Sequence, residues 1–264
     1  MMFGYALETG EVSHLHELKQ IGFDFVELKI EYLSIEKESI VHTIEELKKL
    51  NLRFAVHLPL HGIVLFHPEE DVTDGSLAYF KKIIAFFESY SPLYYVLHQE
   101  ISIPDLLESQ IVFEKVYECA RKHLKILSSI TSKPVYLENN SGKILFTPKE
   151  FEFVNNKLCF DIEHAARATL KEYPTRLHSK KTFYDFGAEI IHLSNFKYVR
   201  DVLYKHLDIR IGAIDYDLEF KKIKTLPLKY IVLESRNKLV ANNTQKMEIE
   251  DIRDCLAFCK KNLV

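Results

Sequence analysis

Six short apolar runs in this chain each end on a residue able to bind a metal ion, and this repetition constrains the fold more than any other feature. The runs are Phe54 to His57, Tyr95 to His98, Val135 to Glu138, Leu158 to Asp161, Ile190 to His192 and Tyr230 to Glu234. Each reads as a buried strand that surfaces at its last residue. Six strands that stop on a carboxylate or an imidazole can point those groups at one centre. The run ending at Asp161 also offers His164 one helical turn later, so both side chains could project to the same point beyond the strand.

Two further runs, Phe3 to Leu7 and Asp24 to Ile30, bring the strands to eight, and helical stripes fill the intervals. Apolar spacing predicts helices over 12–21, 35–50, 76–90 (after a polar loop through Gly62 and Gly75), 103–129, 148–154, 218–224 and 249–263, with another after Asp161. Residues 194–217 read as irregular apart from one short helix. No Pro/Ser-rich linker or shift in composition divides the chain. The simplest packing is an α/β fold, a single (β/α)8 barrel spanning residues 1–264, in which reacting groups gather at the carboxyl ends of the strands. The ligand-type residues fall at those ends.

With 47% hydrophobic residues the chain of 264 can build a sizeable core, and its net charge of −3 gives no general attraction to nucleic acid or to an anionic membrane. No apolar run approaches a membrane span, and the start at Met1 lacks a basic segment followed by a long apolar one, so a cytoplasmic protein with no membrane partner is expected. Cys119, Cys159, Cys255 and Cys259 lack zinc-ribbon spacing and read as free buried thiols.

The candidate site is His57, His98, Glu138, Asp161, His164, His192, His206 and Glu234. Imidazoles mixed with carboxylates suit zinc, manganese, cobalt or iron better than calcium or magnesium. A lone histidine on a strand is more often a hydrogen-bonded structural residue than a ligand. Glu138 and Glu234 differ, because each follows three apolar residues and an unpaired buried carboxylate is costly enough to imply a cation. A carboxylate such as Glu138 could bridge two ions that activate water; with one ion, a carboxylate is left to move a proton. His14, His16, His42, His67, His123 and His178 read as surface residues, and His61 as a solvated loop residue.

Taken in order, the segments Gly22 to Leu28, His57 to Pro59, His98, Leu137 to Gly142, Asp161 to His164, His192 to Asn195, His206 with Ile211 to Asp215, and Leu233-Glu234 resemble the xylose isomerase-like TIM barrels. That superfamily joins sugar isomerases and epimerases to endonuclease IV, in AP endonuclease family 2, and the resemblance covers essentially the whole chain. It implies that Glu138, Asp161, His192 and Glu234 form a shared metal shell. It also implies that His57 and His98 hold a second ion bridged through Glu138, and that His164 and His206 match two ligands of the endonuclease's third zinc. The chain departs from the endonuclease pattern at Tyr204, where a carboxylate is expected, at Phe3 to Leu7, where its first strand carries a histidine, and after His57, where Leu58 to Leu60 replace an aromatic.

The resemblance therefore implies a divalent-metal enzyme with zinc or manganese, one or two ions. The favoured activity is an aldose-ketose isomerase or epimerase of a sugar or sugar phosphate, with Glu138 and Glu234 passing the proton and His164 and His206 orienting hydroxyls. The alternative is an endonuclease IV-type phosphoesterase acting on abasic DNA or another phosphate ester; nucleic acid as a partner stays open but is disfavoured by the charge and the departures. A barrel that binds metal or sugar without turnover is the third reading.

Overall fold

The computed structural model describes residues 1–60, 63–99, 110–139, 157–170, 184, 187–240 and 243–264. His61, Gly62, His178, the start of the helix expected from 103 and the helix expected at 148–154 lie outside these residues. Eight parallel strands close into a barrel. They are β1 (Met2–Glu8), β2 (Phe25–Lys29), β3 (Arg53–His57), β4 (Tyr95–His98), β5 (Val135–Glu138), β6 (Lys157–Asp161), β7 (Ile190–Leu193) and, after two strands of an insertion, β10 (Tyr230–Leu233). The order around the barrel is β1-β10-β7-β6-β5-β4-β3-β2. All eight expected strands are present, and the (β/α)8 architecture is as expected.

Helices α1 (Leu15–Ile21), α2 (Leu33–Lys49), α3 (Glu70–Glu88), α4 (Gln110–Ser129), α5 (Ile162–Leu170), α6 (Tyr216–Ile223) and α7 (Ile249–Leu263) surround the strands. On α2 the apolar stripe is buried where the periodicity places it, at Ile40, Ile44 and Leu47. α3 starts six residues earlier than expected and carries Gly75 inside it, because Glu70 and Asp71 in its first turn complement the positive end of the helix. His123 is a correction: it is buried rather than on the surface. It sits one turn after Cys119 on the inner face of α4, with Nδ1 3.2 Å from the Leu65 carbonyl. No described helix is long and apolar enough to cross a membrane, and all four cysteines are buried and free.

Strand alternation divides the buried side chains into two sets. Val26, Leu28, Leu137 and Phe160 face the helices, whereas Ala6, Phe25, Tyr94, Tyr136, Cys159 and Val232 fill the barrel itself. Aromatic rings plug the amino-terminal half: Tyr94 packs edge-on against Phe25 and Tyr136 at centroid distances of 6.0 and 5.4 Å. Gly4 makes room for them, since a Cβ there would lie 2.3 Å from the Phe25 ring. The same alternation, continued two residues along each strand, lifts Lys29, His57, His98, Glu138, Asp161 and His192 to the carboxyl end. The register sets Lys29 beside His57, His98 beside Glu138, and Asp161 beside His192.

Residues 194–217 are a second correction. The segment contains β8 (Asn195–Val199) and β9 (Val202–Leu207), which pair antiparallel around Arg200 and Asp201. With β11 (Asn237–Val240) and β12 (Asn243–Lys246) they form a four-stranded sheet over the barrel mouth, in the order β12-β11-β9-β8. The turn has no glycine. Arg200 and Asp201 themselves adopt positive φ, 48° and 65°, so the sequence lacks the Asn-Gly or Asp-Gly signal that announces a tight hairpin. The stretch from 208 to 214 is held by one side chain: Asn195 Nδ2 donates to the Ile209 and Ile214 carbonyls while its Oδ1 accepts from Phe196 N and Ile214 N. Gly212 lies against that amide, where a Cβ would come 2.2 Å from Oδ1.

Candidate metal centre

The expected site residues converge at the carboxyl end of the barrel. Glu138 is the hub. Its Oε2 lies 3.1 Å from His57 Nε2 and 3.0 Å from His98 Nε2, and its Oε1 lies 3.3 Å from His192 Nδ1 and 3.8 Å from His164 Nδ1. His192 Nδ1 also faces Glu234 Oε1 at 3.5 Å. His206 comes from β9 and lies 3.8 Å from Glu234 Oε2. Close donor atoms gather as His57, His98 and Glu138; as Glu138, Asp161 and His164; and as Glu27, His57, His192 and Glu234. Asp161 and Glu234 fall in different groups, so the four-residue shell implied by the resemblance is joined through Glu138 and His192.

The hydrogen bonds of the imidazoles assign their tautomers. His57 Nδ1 lies 3.1 Å from the Leu58 carbonyl and His164 Nδ1 2.9 Å from the Asn139 carbonyl. A ring nitrogen beside a carbonyl carries the proton, so in the neutral ring Nε2 offers a lone pair. His57 Nε2 then turns that pair toward a carboxylate oxygen and toward His98 Nε2, 3.1 Å away. Lone pairs meeting at one point call for a cation. Asn139 fixes this arrangement by donating to the Asp161 carbonyl and accepting from Asp161 N, and Asp161 Oδ1 in turn accepts from His164 N.

The charge count agrees. Glu27, Glu138, Asp161, Glu163 and Glu234 are all buried, and the permanent cations paired with them are Lys29, 2.8 Å from Glu234 Oε1, and Arg167, 3.1 Å from Glu163 Oε1. Were all five carboxylates ionised, these two cations would leave an excess of negative charge that is costly in a dry interior. Asp161 Oδ2, Glu27 Oε1 and both nitrogens of His192 are buried without a hydrogen-bond partner among the described residues. The donor set, nitrogen mixed with oxygen, fits zinc or manganese.

The titration shifts have the same origin. Burial opposes ionisation of Glu138, but His98 and His192 outweigh it and hold the carboxyl well below its usual range. For Glu234 burial is likewise outweighed, by Lys29 and His192. Asp161 goes the other way: burial and the neighbouring Glu138, Glu234 and Glu163 push it well above the carboxylate range. Burial takes His164 down to about 3, which keeps its ring neutral. Burial would also lower His192, yet Cys159, Glu27, Glu138 and Glu234 around it raise it well above the ordinary value.

Four further residues belong to the site and were absent from the sequence reading: Glu27, Lys29, Glu163 and Arg167. Glu27 accepts from Tyr94 OH at 2.8 Å and lies 3.3 Å from His192 Nε2, so it sets that ring from behind. Glu163 accepts from Ser194 Oγ and from His206 N, which ties the inserted sheet to α5. Their signal was in the sequence. Glu27 and Lys29 are charged residues two apart in an otherwise apolar strand, and Glu163 and Arg167 are one helical turn apart beyond Asp161. The centre opens into a cavity of about 380 Å³ lined by Lys29, His57, His98, Glu138, His206 and Glu234 among others.

No family model matches the chain, and no curated protein matches it by sequence. Solved structures do. The TTHB071 protein from Thermus thermophilus, soaked with ZnCl2, aligns with a TM-score of 0.70 at 17% identity over 99% of this chain and 98% of that one. The 3-keto-D-glucoside 4-epimerase YcjR from E. coli aligns at 0.70 and 14% identity over 99% of each chain. A D-allulose 3-epimerase from Methylomonas sp. in complex with D-allulose aligns at 0.71 and 13% identity over 99% of this chain and 97% of that one. The chain has the fold of the xylose isomerase-like TIM barrels, an architecture that these sugar epimerases share.

Proposed function

We propose that this barrel is a divalent-metal-dependent isomerase or epimerase of a sugar or sugar phosphate. The observation that carries the reading is the position of Glu138 and Glu234 on either side of His192 Nδ1, at 3.3 and 3.5 Å, where two carboxylates border one point on the cavity floor. Removing a proton from carbon and returning it needs a base of this kind held beside the carbon. Glu138, Asp161, His192 and Glu234 would hold one ion, with His57 and His98 available to a second through Glu138. A bound ion would polarise the carbonyl adjacent to the carbon that loses its proton.

The side chains do the rest. Lys29 keeps Glu234 ionised, so Glu234 begins as the base. If Glu234 carries the proton to the neighbouring carbon, the outcome is isomerisation. If Glu138, having taken a proton from solvent, delivers that proton to the opposite face of the same carbon while Glu234 keeps the one it removed, the outcome is epimerisation. His164 and His206, close to Glu138 and Glu234, orient hydroxyls. The fold shared with sugar epimerases, one of them solved with D-allulose, supports a sugar as substrate. Incubation in D2O with a panel of ketoses and their phosphates, followed by mass spectrometry, tests the reading: deuterium should enter the carbon beside the carbonyl, and Glu138→Gln and Glu234→Gln should each abolish it.

One observation favours the phosphoesterase reading instead. His57, His98 and Glu138 by themselves form a three-donor group suited to a second ion, and paired ions suit phosphate ester hydrolysis. Against a third ion, Glu163, the carboxylate near His206, is already engaged by Ser194, the His206 amide and Arg167. Metal-dependent incision of duplex DNA at an abasic site, at catalytic enzyme concentrations, would overturn the isomerase assignment.

A further inference from the structure

Of the lysines and arginines that line the cavity, Lys29 on β2 is paired with Glu234, and the other three are not spread evenly around it. Arg167 stands on α5 after β6, Lys205 on β9 in the insertion after β7, and Arg236 just after β10. In the barrel order these are three consecutive strands, β6, β7 and β10. The imidazoles His57 and His98 and the hub Glu138 lie across the mouth on β3, β4 and β5. Arg167, Lys205 and Arg236 therefore share one half of the rim with Asp161, His192 and Glu234, and the other half holds His57, His98 and the Glu234-paired Lys29.

Two of these cations have capacity left over. Arg236 Nη1 donates to Glu8, but its Nε and Nη2 are buried and have no hydrogen-bond partner among the described residues. A guanidinium with two buried N–H groups unmatched is set up for an oxyanion, which can accept from both at once. Lys205 is exposed and forms no ion pair among the described residues, so its ammonium is open to a ligand. It reaches the cavity because of a local backbone feature. Strand alternation would send Lys205 and His206 to opposite faces, but His206 has φ 51°, which interrupts the alternation, and both line the cavity. The backbone also clamps this corner, since Arg236 N donates to the His206 carbonyl at 2.8 Å. Arg167 completes the half-rim with its Nε held against Glu163. Glu31 lines the same cavity from the β2 side with Oε2 unpartnered among the described residues, which leaves the anion the β6 to β10 side and gives a hydroxyl donor a partner opposite.

We propose that Lys205, Arg236 and Arg167 form a phosphate subsite, so that the substrate is a phosphomonoester of a small sugar and not a neutral sugar. The sugar half of this statement rests on the isomerase or epimerase reading; the phosphate half rests on the rim alone. Loops after the last two strands of such barrels are a recurrent place for a phosphate, and the volume suits a small ligand.

Two measurements on the purified, metal-containing protein test it. The first compares deuterium entry from D2O into D-ribulose against D-ribulose 5-phosphate, and D-fructose against D-fructose 6-phosphate, for the native chain and Lys205→Ala. The second titrates inorganic phosphate calorimetrically into the same two proteins, with metal content and circular dichroism confirming that the exposed Lys205 substitution leaves the fold and the ions in place. Exchange confined to the phosphates, with a loss of roughly tenfold or more in phosphate affinity and in kcat/KM for Lys205→Ala, supports the proposal. Neutral sugars exchanged as fast as their phosphates overturn it and leave the isomerase reading standing. Equal phosphate binding by both proteins overturns it whichever sugars react. If no sugar exchanges while phosphate binding still falls tenfold in the variant, the subsite stands and the isomerase reading fails. Incision of abasic-site DNA in that case would assign the phosphate to a nucleic acid and overturn the sugar monoester.

Discussion

Lys29 Nζ lies 2.8 Å from Glu234 Oε1, so a carboxylate placed to face an ion already has an ammonium against one of its oxygens. Both groups are largely buried at the carboxyl end of the barrel. Lys29 is held protonated there: burial works against the charge, but Glu234, Glu138 and Glu27 outweigh it. The pair offsets part of the negative charge that collects in the centre.

Removing that ammonium leaves a buried carboxylate uncompensated. Lys29→Met is expected to destabilise chelator-treated protein by about 3 kcal/mol. Added zinc should raise the Tm of the variant more than that of the native chain, because the ion then supplies the missing charge. Equal Tm values for the two treated proteins in differential scanning calorimetry would show that the pair contributes nothing.

Metal stoichiometry separates the two arrangements of donors. Elemental mass spectrometry of freshly purified protein should give about two equivalents of zinc or manganese if the His57, His98 and Glu138 group is occupied, falling to about one in His57→Ala. Glu138→Ala should lose all bound metal, since Glu138 belongs both to the His57 and His98 group and to the shell with Asp161, His192 and Glu234. Full metal in Glu138→Ala would mean that the hub is misassigned.

The floor of the barrel yields a steric prediction that is independent of the site. Gly4→Ala puts a methyl against the Phe25 ring and should cost about 1–3 kcal/mol in urea unfolding. The double variant with Phe25→Leu should recover part of that loss, because the smaller side chain vacates the space the methyl needs. Simple additivity of the two changes would refute the contact.

A pH effect is expected at the opposite end of the barrel from the site. Glu189 accepts from Tyr136 OH at 2.8 Å and from Lys157 at 2.7 Å, and lies 3.0 Å from Lys229. Burial raises its pKa, but Lys157, Lys229 and Tyr136 prevail and hold it below the ordinary 4.5. A carboxyl with a depressed folded pKa contributes stability that is complete above the unfolded value and is lost as pH falls through the folded one. The stability gap between the native chain and Glu189→Gln should therefore be constant above about pH 5 and shrink as pH drops below 4.5. A gap that does not change between about pH 6 and about pH 3 would contradict this.

The chain sequence by itself determined the barrel and most of its contents. Eight apolar runs at regular intervals, separated by stripes of helical period, admit few packings, and a strand that ends on Glu138 or His192 lifts that residue to the carboxyl end whatever the loops do. Only the tertiary structure decided the rest. Whether Glu27 and Lys29 face the centre or the helices depends on barrel register, since a shift of one residue would reverse every side chain on β2. The hairpin at Arg200 and Asp201 was hidden because its left-handed turn lacks a glycine and places an arginine, which seldom adopts that conformation, at its first position. His123 could be placed inside only once the segment carrying Leu65 was seen to meet its ring. The neutralisation of Glu234 by Lys29, and the half-rim of Arg167, Lys205 and Arg236, arise from strands β2, β6, β7 and β10 that are far apart in the chain and meet only when the barrel closes.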